Sequence, residues 1–184
     1  MDVKFKQITV RPSNGSDDLN FAIKTHNLIK NAAKQFDVAV RPIELLERKI
    51  KECHSVFAFE PKGELVGFVY YAKWSDNFIS HSGMVVDTVY RGHGIGKTLK
   101  NEITKLSLEH YPDAKIFGIT GSKIIQHISK SLGFIEVPFS ELTADPVFWA
   151  GCKGCKKYEQ YNKESIGGIN PIGERCCCMG LLKK

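Results

Sequence analysis

The sequence predicts a mixed α/β (α+β) domain in which helices cover both faces of one sheet, giving three layers. Two observations lead to this fold class. Short runs rich in Val, Ile, Phe and Tyr alternate with segments whose apolar residues recur at helical spacing. With 184 residues, the chain is also long enough to bury one core without disulfides.

The first half of the chain predicts a strand, two helices and a hairpin. Residues 8–12 alternate as a strand does and end at a proline, and residues 19–35 carry apolar residues at helical spacing. A second helix is predicted over residues 43–54. Residues 55–74 form a predicted hairpin, because the Pro and Gly of "EPKG" separate two runs rich in Val, Phe and Tyr.

The second half continues with strands and helices in alternation. A strand is predicted over residues 78–87 and a helix over residues 94–110, which is followed by a proline. Residues 115–120 read as the next strand. A short helix over residues 122–132 ends before a glycine, where a left-handed residue is favoured, and residues 134–138 form a late strand.

From residue 141 the periodic pattern stops, and the chain becomes rich in Gly and Cys. We therefore predict a domain over residues 1–140 and a Cys-rich C-terminal extension, residues 141–184, that packs on it. The extension holds five of the six cysteines. Two C-x2-C sulfurs can share one ion, so a tetrahedral zinc site is one hypothesis; its four ligands would be Cys152, Cys155, Cys176 and Cys178. Free thiols and a disulfide or other thiol chemistry are the alternatives.

The charge and hydropathy of the chain indicate which classes of partner it can have. A net charge of +6 would suit an anionic small molecule or nucleic acid, but no block of five like charges indicates a nucleic-acid arm. No apolar run is long enough to span a bilayer, and the first residues lack the apolar segment of a signal peptide. We expect a cytoplasmic protein; monomer and homodimer both stay open.

The stretch "MVVDTVYRGHGIGKTLKNEI" places three alternate glycines between a predicted strand and a predicted helix. A nucleoside-triphosphate loop would need four residues between its glycines, and only three separate Gly92 from Gly96. The dinucleotide fingerprint would need its third glycine one position later and an earlier place in the chain. The pattern R/Q-x-x-G-x-G/A matches "RGHGIG" at every defined position.

That pattern suits a diphosphate. Successive backbone N–H groups at a helix start form one anion site, which the helix dipole favours. Glycines at positions 94 and 96 let the ligand approach the backbone. Arg91 would add positive charge, and Thr98 a hydroxyl, near the same site.

This stretch resembles the GNAT N-acetyltransferases, in which a strand, an acidic turn, the phosphate loop and a helix follow in this register. A later strand, a helix and "SLGF" follow at the spacing of that family. The resemblance covers residues 7–137 and implies a mostly antiparallel mixed sheet that is splayed between its fourth and fifth strands. It also implies acetyl-CoA as the cosubstrate and an amine, on a small molecule or a peptide, as the acceptor.

The resemblance assigns the cosubstrate-binding residues by position. The strand residues Met84, Val85 and Val86 would lie beside the pantetheine arm, and Ser122 replaces an asparagine at the start of a later helix. The loop and the helix start would hold the diphosphate; the residues concerned are Arg91, Gly92, His93, Gly94, Ile95, Gly96, Lys97 and Thr98.

The catalytic residues match the family less well. No glutamate lies on the fourth strand, so His81 and Ser82 are the candidate bases, with water as an intermediary, and His127 is a weaker one. Ser129 occupies the position of a tyrosine that protonates the leaving thiolate in many relatives. A non-catalytic CoA-binding module and a zinc-stabilised interaction module are therefore kept as alternatives.

Overall fold

A computed structural model of the chain describes residues 7–36, 38–75, 77–154 and 178–184. They form one seven-stranded sheet with helices on both faces, which confirms the predicted fold class. The helices are α1 (Ala22–Gln35), α2 (Ile43–Lys51), α3 (Ile95–His110), α4 (Lys123–Ser131) and α5 (Pro146–Ala150). The strands are β1 (Thr9–Pro12), β2 (Ser55–Phe59), β3 (Leu65–Lys73), β4 (Phe78–Val86), β5 (Lys115–Thr120), β6 (Ile135–Val137) and β7 (Met179–Lys183).

The strand order in the sheet is β1-β2-β3-β4-β5-β7-β6. Every neighbouring pair is antiparallel except β4 and β5, which are parallel. Parallel neighbours need a crossover connection, and α3 supplies it. The sheet is therefore mixed and mostly antiparallel, as the resemblance implied.

Two cores lie on opposite faces of the sheet. Phe57, Phe68 and Ile29 belong to the core beneath α1 and α2, whereas Val69, Leu99 and Ile103 belong to the core beneath α3. The alternation of β3 residues between the two cores follows from the two-residue period of a strand. Both faces of the central strands are buried, so their positions are fixed from both sides.

Two helix boundaries differ from the sequence prediction, and two elements were not predicted. The helix predicted from residue 19 begins as a 3-10 turn, Gly15–Phe21, before α1. The helix predicted to reach residue 54 ends at Lys51, and Cys53 has a left-handed φ of 56°. In the extension, α5 and β7 were not predicted.

β7 lies inside the sheet, between β5 and β6, rather than beside it. Residues 155–177 are outside the described part, so the division of the chain at residue 140 stays a prediction. No helix among the described residues is long and apolar enough to cross a membrane.

Candidate functional site

The glycine loop ends at the first residue of α3. Gly94 is the N-cap residue and has a left-handed φ of 79°, and Gly92 has a φ of 83°. L side chains rarely adopt this backbone conformation, which explains two of the three glycines. A Cβ on Gly96 would lie 3.4 Å from the side-chain ends of Ile128 and Met84, which is close to an ordinary contact, so sterics alone do not require this glycine.

The glycine loop borders open space at the start of α3. A Cβ placed on Gly92 or Gly94 would meet no atom within 4 Å, so the space above the loop is open. The first hydrogen bond of α3 joins Thr98 N to Gly94 O at 3.1 Å, and no side chain in the described part of the chain caps the helix. The N–H groups of Ile95, Gly96 and Lys97 therefore have no acceptor within the helix and could bind an anion, which the dipole of this 16-residue helix favours.

The side chains around the loop mainly hold the loop itself. Arg91 Nε donates to Val86 O at 3.0 Å, and its guanidinium lies 4.6 Å from the centre of the Phe36 ring. Thr98 Oγ1 donates to Gly94 O at 3.3 Å, and Lys97 is exposed. Arg91 therefore ties the loop to the end of β4, in addition to the positive charge that it places nearby.

β4 and β5 pair only at their beginnings. The last pair joins Ser80 to Phe117, and beyond it β5 stays paired with β7 on its other edge only. From His81 to Val86, β4 has no strand neighbour on its β5 side among the described residues. Two open strand edges thus face each other across a gap, as the resemblance implied, and this is the arrangement that an extended ligand with amide groups can join.

A β-bulge interrupts β4 inside the gap. The pairs Tyr70–Ser82 and Phe68–Val85 leave Gly83 and Met84 opposite a single residue of β3. Gly83 has a φ of 63°, and a Cβ there would lie 2.7 Å from the Tyr70 ring. Only glycine therefore fits at this point of the bulge.

His81 and Ser82, the two candidate bases, lie on opposite faces of the sheet. Ser82 points toward α1 and α2, where its hydroxyl is hydrogen bonded to the hydroxyl of Tyr70. His81 points toward α3, where Nε2 is 3.1 Å from Ser107 Oγ and Nδ1 is 3.0 Å from Lys100 Nζ. Burial lowers the pKa of His81 well below its ordinary value, and the charge of Lys100 acts in the same direction.

The three candidate residues at the start of α4 and within it differ in environment: one caps the helix, one is buried and one is exposed. Ser122 Oγ accepts from Ile125 N at 3.4 Å and so caps the helix. Ser129 is buried, with 1% exposed, whereas His127 is exposed. The roles predicted for them in binding the cosubstrate and in proton transfer stay predictions.

The zinc hypothesis falls largely outside the described residues. Cys155 and Cys176 are not described, whereas Cys152 and Cys178 are half-buried. Within the described ranges, no group of three or more His, Cys, Asp or Glu residues could hold a metal ion. The site stays a prediction.

Two cationic residues that the sequence did not predict, Lys100 and Arg41, lie in the region of β4 and its neighbours. Lys100 of α3 is buried, with 4% exposed, and burial lowers its pKa to about 7. Arg41 lies between α1 and α2, and its Nε is buried without a hydrogen-bond partner among the described residues. Nothing in the sequence separates these two from solvated surface cations.

Several solved structures share this fold at low sequence identity. Rv2747 from Mycobacterium tuberculosis, in complex with CoA and NLQ, is 18% identical, with a TM-score of 0.65 over 95% of this chain and 97% of that one. N-acetylglutamate synthase from Neisseria gonorrhoeae, complexed with coenzyme A and N-acetyl-glutamate, is 15% identical, with a TM-score of 0.65 over 96% of this chain and 35% of that one.

Diaminobutyrate acetyltransferase EctA from Paenibacillus lautus, in complex with L-2,4-diaminobutyric acid and coenzyme A, is 9% identical, with a TM-score of 0.62 over 96% of this chain and 93% of that one. No curated protein matches the sequence. The family model described as "Acetyltransferase (GNAT) family" matches residues 26–120, which include β4, the glycine loop and α3. The chain therefore belongs to the GNAT acetyltransferase family.

Proposed function

We propose that this protein is an N-acetyltransferase that moves the acetyl group of acetyl-CoA to the amine of a small acceptor bearing a carboxylate. The proposal rests on two open features that follow each other along the chain: the space above the glycine loop and the edge of β4 that does not pair with β5. The open space above Gly92 and Gly94, where α3 begins, lies at one end, and the edge of β4 from Val86 to His81 that does not pair with β5 lies at the other. A diphosphate fits the first feature and an amide-bearing arm fits the second.

The cosubstrate would be held mainly by backbone. The N–H groups at the start of α3 would donate to the diphosphate, and the edge at Met84 and Val86 would pair with pantetheine amides. The bulge at Gly83 interrupts the pairing of β4 with β3 beside the gap. A main-chain N–H there would stabilise negative charge that develops on the thioester oxygen. Acetyl-CoA supplies the activated acyl carbon.

The acceptor class follows from positive charge on the sheet face that α1 and α2 cover, opposite the face of α3. The pKa of Tyr70 is raised by burial, and the nearby charges of Arg41 and Arg48 oppose that rise. Both arginines therefore act on the region where the Tyr70 and Ser82 hydroxyls meet. Because the buried Nε of Arg41 lacks a partner among the described residues, a carboxylate would satisfy it.

The small molecules bound beside coenzyme A in two proteins with this fold have related chemistry. N-acetyl-glutamate is bound by the Neisseria synthase, and diaminobutyric acid by EctA. Both molecules combine a carboxylate with a nitrogen that carries, or can receive, an acetyl group. This shared chemistry agrees with the charge argument and supports an amino acid as the acceptor class.

The reaction would proceed by direct attack of the amine on the thioester carbon. The Ser82 hydroxyl would hold a water that takes the proton lost by the amine, since the side chain itself is a weak base. His81 is on the opposite face, and both of its ring nitrogens already have partners. We therefore do not assign it as the base.

The experiment compares amino acids with the amines that lack their carboxylate. Thiol release from acetyl-CoA is measured for each pair, and the acetylated product is identified by mass. We expect turnover only with carboxylate-bearing amines. Arg41→Gln should raise the acceptor KM about 10-fold or more, consistent with the loss of a charge-assisted hydrogen bond, and leave the KM for acetyl-CoA unchanged.

Lys34→Gln is the matched control, because it removes a cation from the exposed surface of α1. An equal effect of the two variants would contradict the acceptor site. Binding of CoA without thiol release from any amine would instead favour the non-catalytic alternative.

A further inference from the structure

The buried amine of Lys100 has three neighbours that define its position. Nζ is 3.0 Å from His81 Nδ1 and 4.4 Å from the centre of the Phe134 ring. A Cβ on Gly118 would lie 4.0 Å from the same Nζ. A lysine buried this deeply without a carboxylate partner is uncommon in a protein interior and calls for a physical reason.

These neighbours place the amine where β4 and β5 part. The last residues that pair across the two strands are Ser80 and Phe117. His81 and Gly118 are the next residue on each strand, and a Cβ on Gly118 would lie 3.7 Å from the carbonyl oxygen of His81. Lys100 therefore reaches the closed end of the gap from the α3 face.

A chain of hydrogen bonds fixes the orientation of His81. Ser107 Oγ donates to Ile103 O at 2.7 Å and therefore accepts from His81 Nε2–H at 3.1 Å. His81 Nδ1 must then be the acceptor that receives a hydrogen from Lys100 Nζ. This tautomer holds the amine in place whether the amine is charged or neutral.

Two other elements bring titratable side chains to this region. His81 lies on β4, and Lys183 of β7 places its Nζ 5.9 Å from the Phe134 ring, which Lys100 also contacts. Among the described residues, no carboxylate forms an ion pair with Lys100.

We propose that Lys100 donates the proton taken up by the departing thiolate of CoA, and that His81 is the residue that positions it. This inference rests on the proposed function. As the amine attacks, a C–N bond forms, the C–S bond breaks, and its electron pair stays on sulfur. The sulfur takes a proton from the Lys100 ammonium, and the resulting neutral amine regains one from water after product leaves.

Two further features support this assignment. Ser129 of α4, the residue at the position expected for a proton donor, offers only a hydroxyl, which is a poor acid. The pKa of Lys100, which burial lowers to about 7, is close to the value at which a general acid both carries and releases its proton near neutral pH.

The first test follows the thiol of bound CoA and needs no acceptor. Thiolate formation is recorded by ultraviolet difference absorbance as the pH of the wild-type complex is raised. A free thiol has a pKa of about 8.5. In the bound complex the thiolate and the Lys100 ammonium would stabilise each other and titrate as a coupled pair, so thiolate should appear at a lower pH in the wild-type complex than in a complex of Lys100→Met. Bound CoA with an unshifted thiol would overturn the assignment to Lys100 alone, whereas failure of CoA to bind would overturn the proposed function.

The second test separates charge from proton donation. Lys100→Met should lose the thiol shift and about 100-fold in kcat, a typical contribution of general acid catalysis, while acetyl-CoA affinity changes less than about threefold. Lys100→Arg should keep the thiol shift and still lose kcat, because a guanidinium does not release its proton. Lys105→Met, an exposed lysine of the same helix, is the control and should behave as wild type. A Lys100→Met protein with wild-type kcat would overturn the proposal.

Discussion

Replacing Gly94 by leucine tests the phosphate loop directly. Gly94 has a left-handed φ of 79°, and a Cβ there would project into open space rather than into the protein. The substitution should therefore cost about 1–2 kcal/mol of stability, the penalty of a left-handed L residue. The fold should otherwise be kept.

The effect on CoA affinity should be larger than the effect on stability. A leucine side chain would cover the N–H groups at the start of α3, of which we expect two or three to bind phosphate oxygens. Hydrogen bonds to charged groups contribute about 1.5–3 kcal/mol each. Their loss corresponds to a Kd at least about 100-fold higher, since about 1.4 kcal/mol is a factor of ten.

Gly63→Leu provides a matched control. Gly63 has a φ of 85°, and a Cβ there would also meet no atom within 4 Å, but it lies in the turn between β2 and β3. Urea denaturation should show similar losses for the two variants, and calorimetry should show lost CoA affinity only for Gly94→Leu. Acetyl-pantetheine, which lacks the diphosphate, should react equally with both. Equal CoA affinities of the two variants would refute the assignment of the loop.

Two further predictions concern stability. Burial lowers the pKa of Lys100 to about 7, so unfolding takes up a proton between pH 7 and about 10.4. The stability of the wild type in urea should therefore rise with pH in that window, by at most about 5 kcal/mol relative to Lys100→Met, and parallel profiles would argue against a buried amine. Gly180→Ala should lower the free energy of unfolding by about 1–3 kcal/mol, because its Cβ would lie 2.6 Å from Val137 O. Gly151→Ala is the control and should be neutral, since its Cβ would meet nothing within 4 Å. Equal denaturation midpoints of the two variants would contradict the place of β7 in the sheet.

The fold up to β6 was predictable because each element is locally marked. Strands β2 to β5 are apolar runs bounded by turn residues, and α3 repeats apolar residues at helical spacing. The elements missed in the extension lack such marks. α5 has only five residues, and β7 depends on a distant pairing with β5 and β6, which a local pattern cannot show.

The candidate site likewise contains one part that the sequence predicted, the glycine loop, and one that it did not, Lys100. The loop was predictable, since Gly92 and Gly94 have the backbone conformation that favours glycine. Lys100 was not, because Lys100, Thr104 and Ser107 repeat at i, i+4 and i+7, as residues of a solvated helix face also do, yet all three are buried. Their burial depends on where β4 and β5 part, which no local pattern reports.

The bulge at Gly83 connects these features physically. Consecutive residues of a strand face opposite sides, so His81 and Ser82 cannot serve the same cavity. The extra residue at Gly83 and Met84 then twists the strand just where pairing with β5 has ended. The acceptor amine would thus attack from the Ser82 face, and the departing thiolate would be protonated from the His81 face, both beside the same stretch of β4. A substitution at Gly83 should therefore impair both halves of the reaction, because its Cβ would collide with the Tyr70 ring and shift the strand that both faces share.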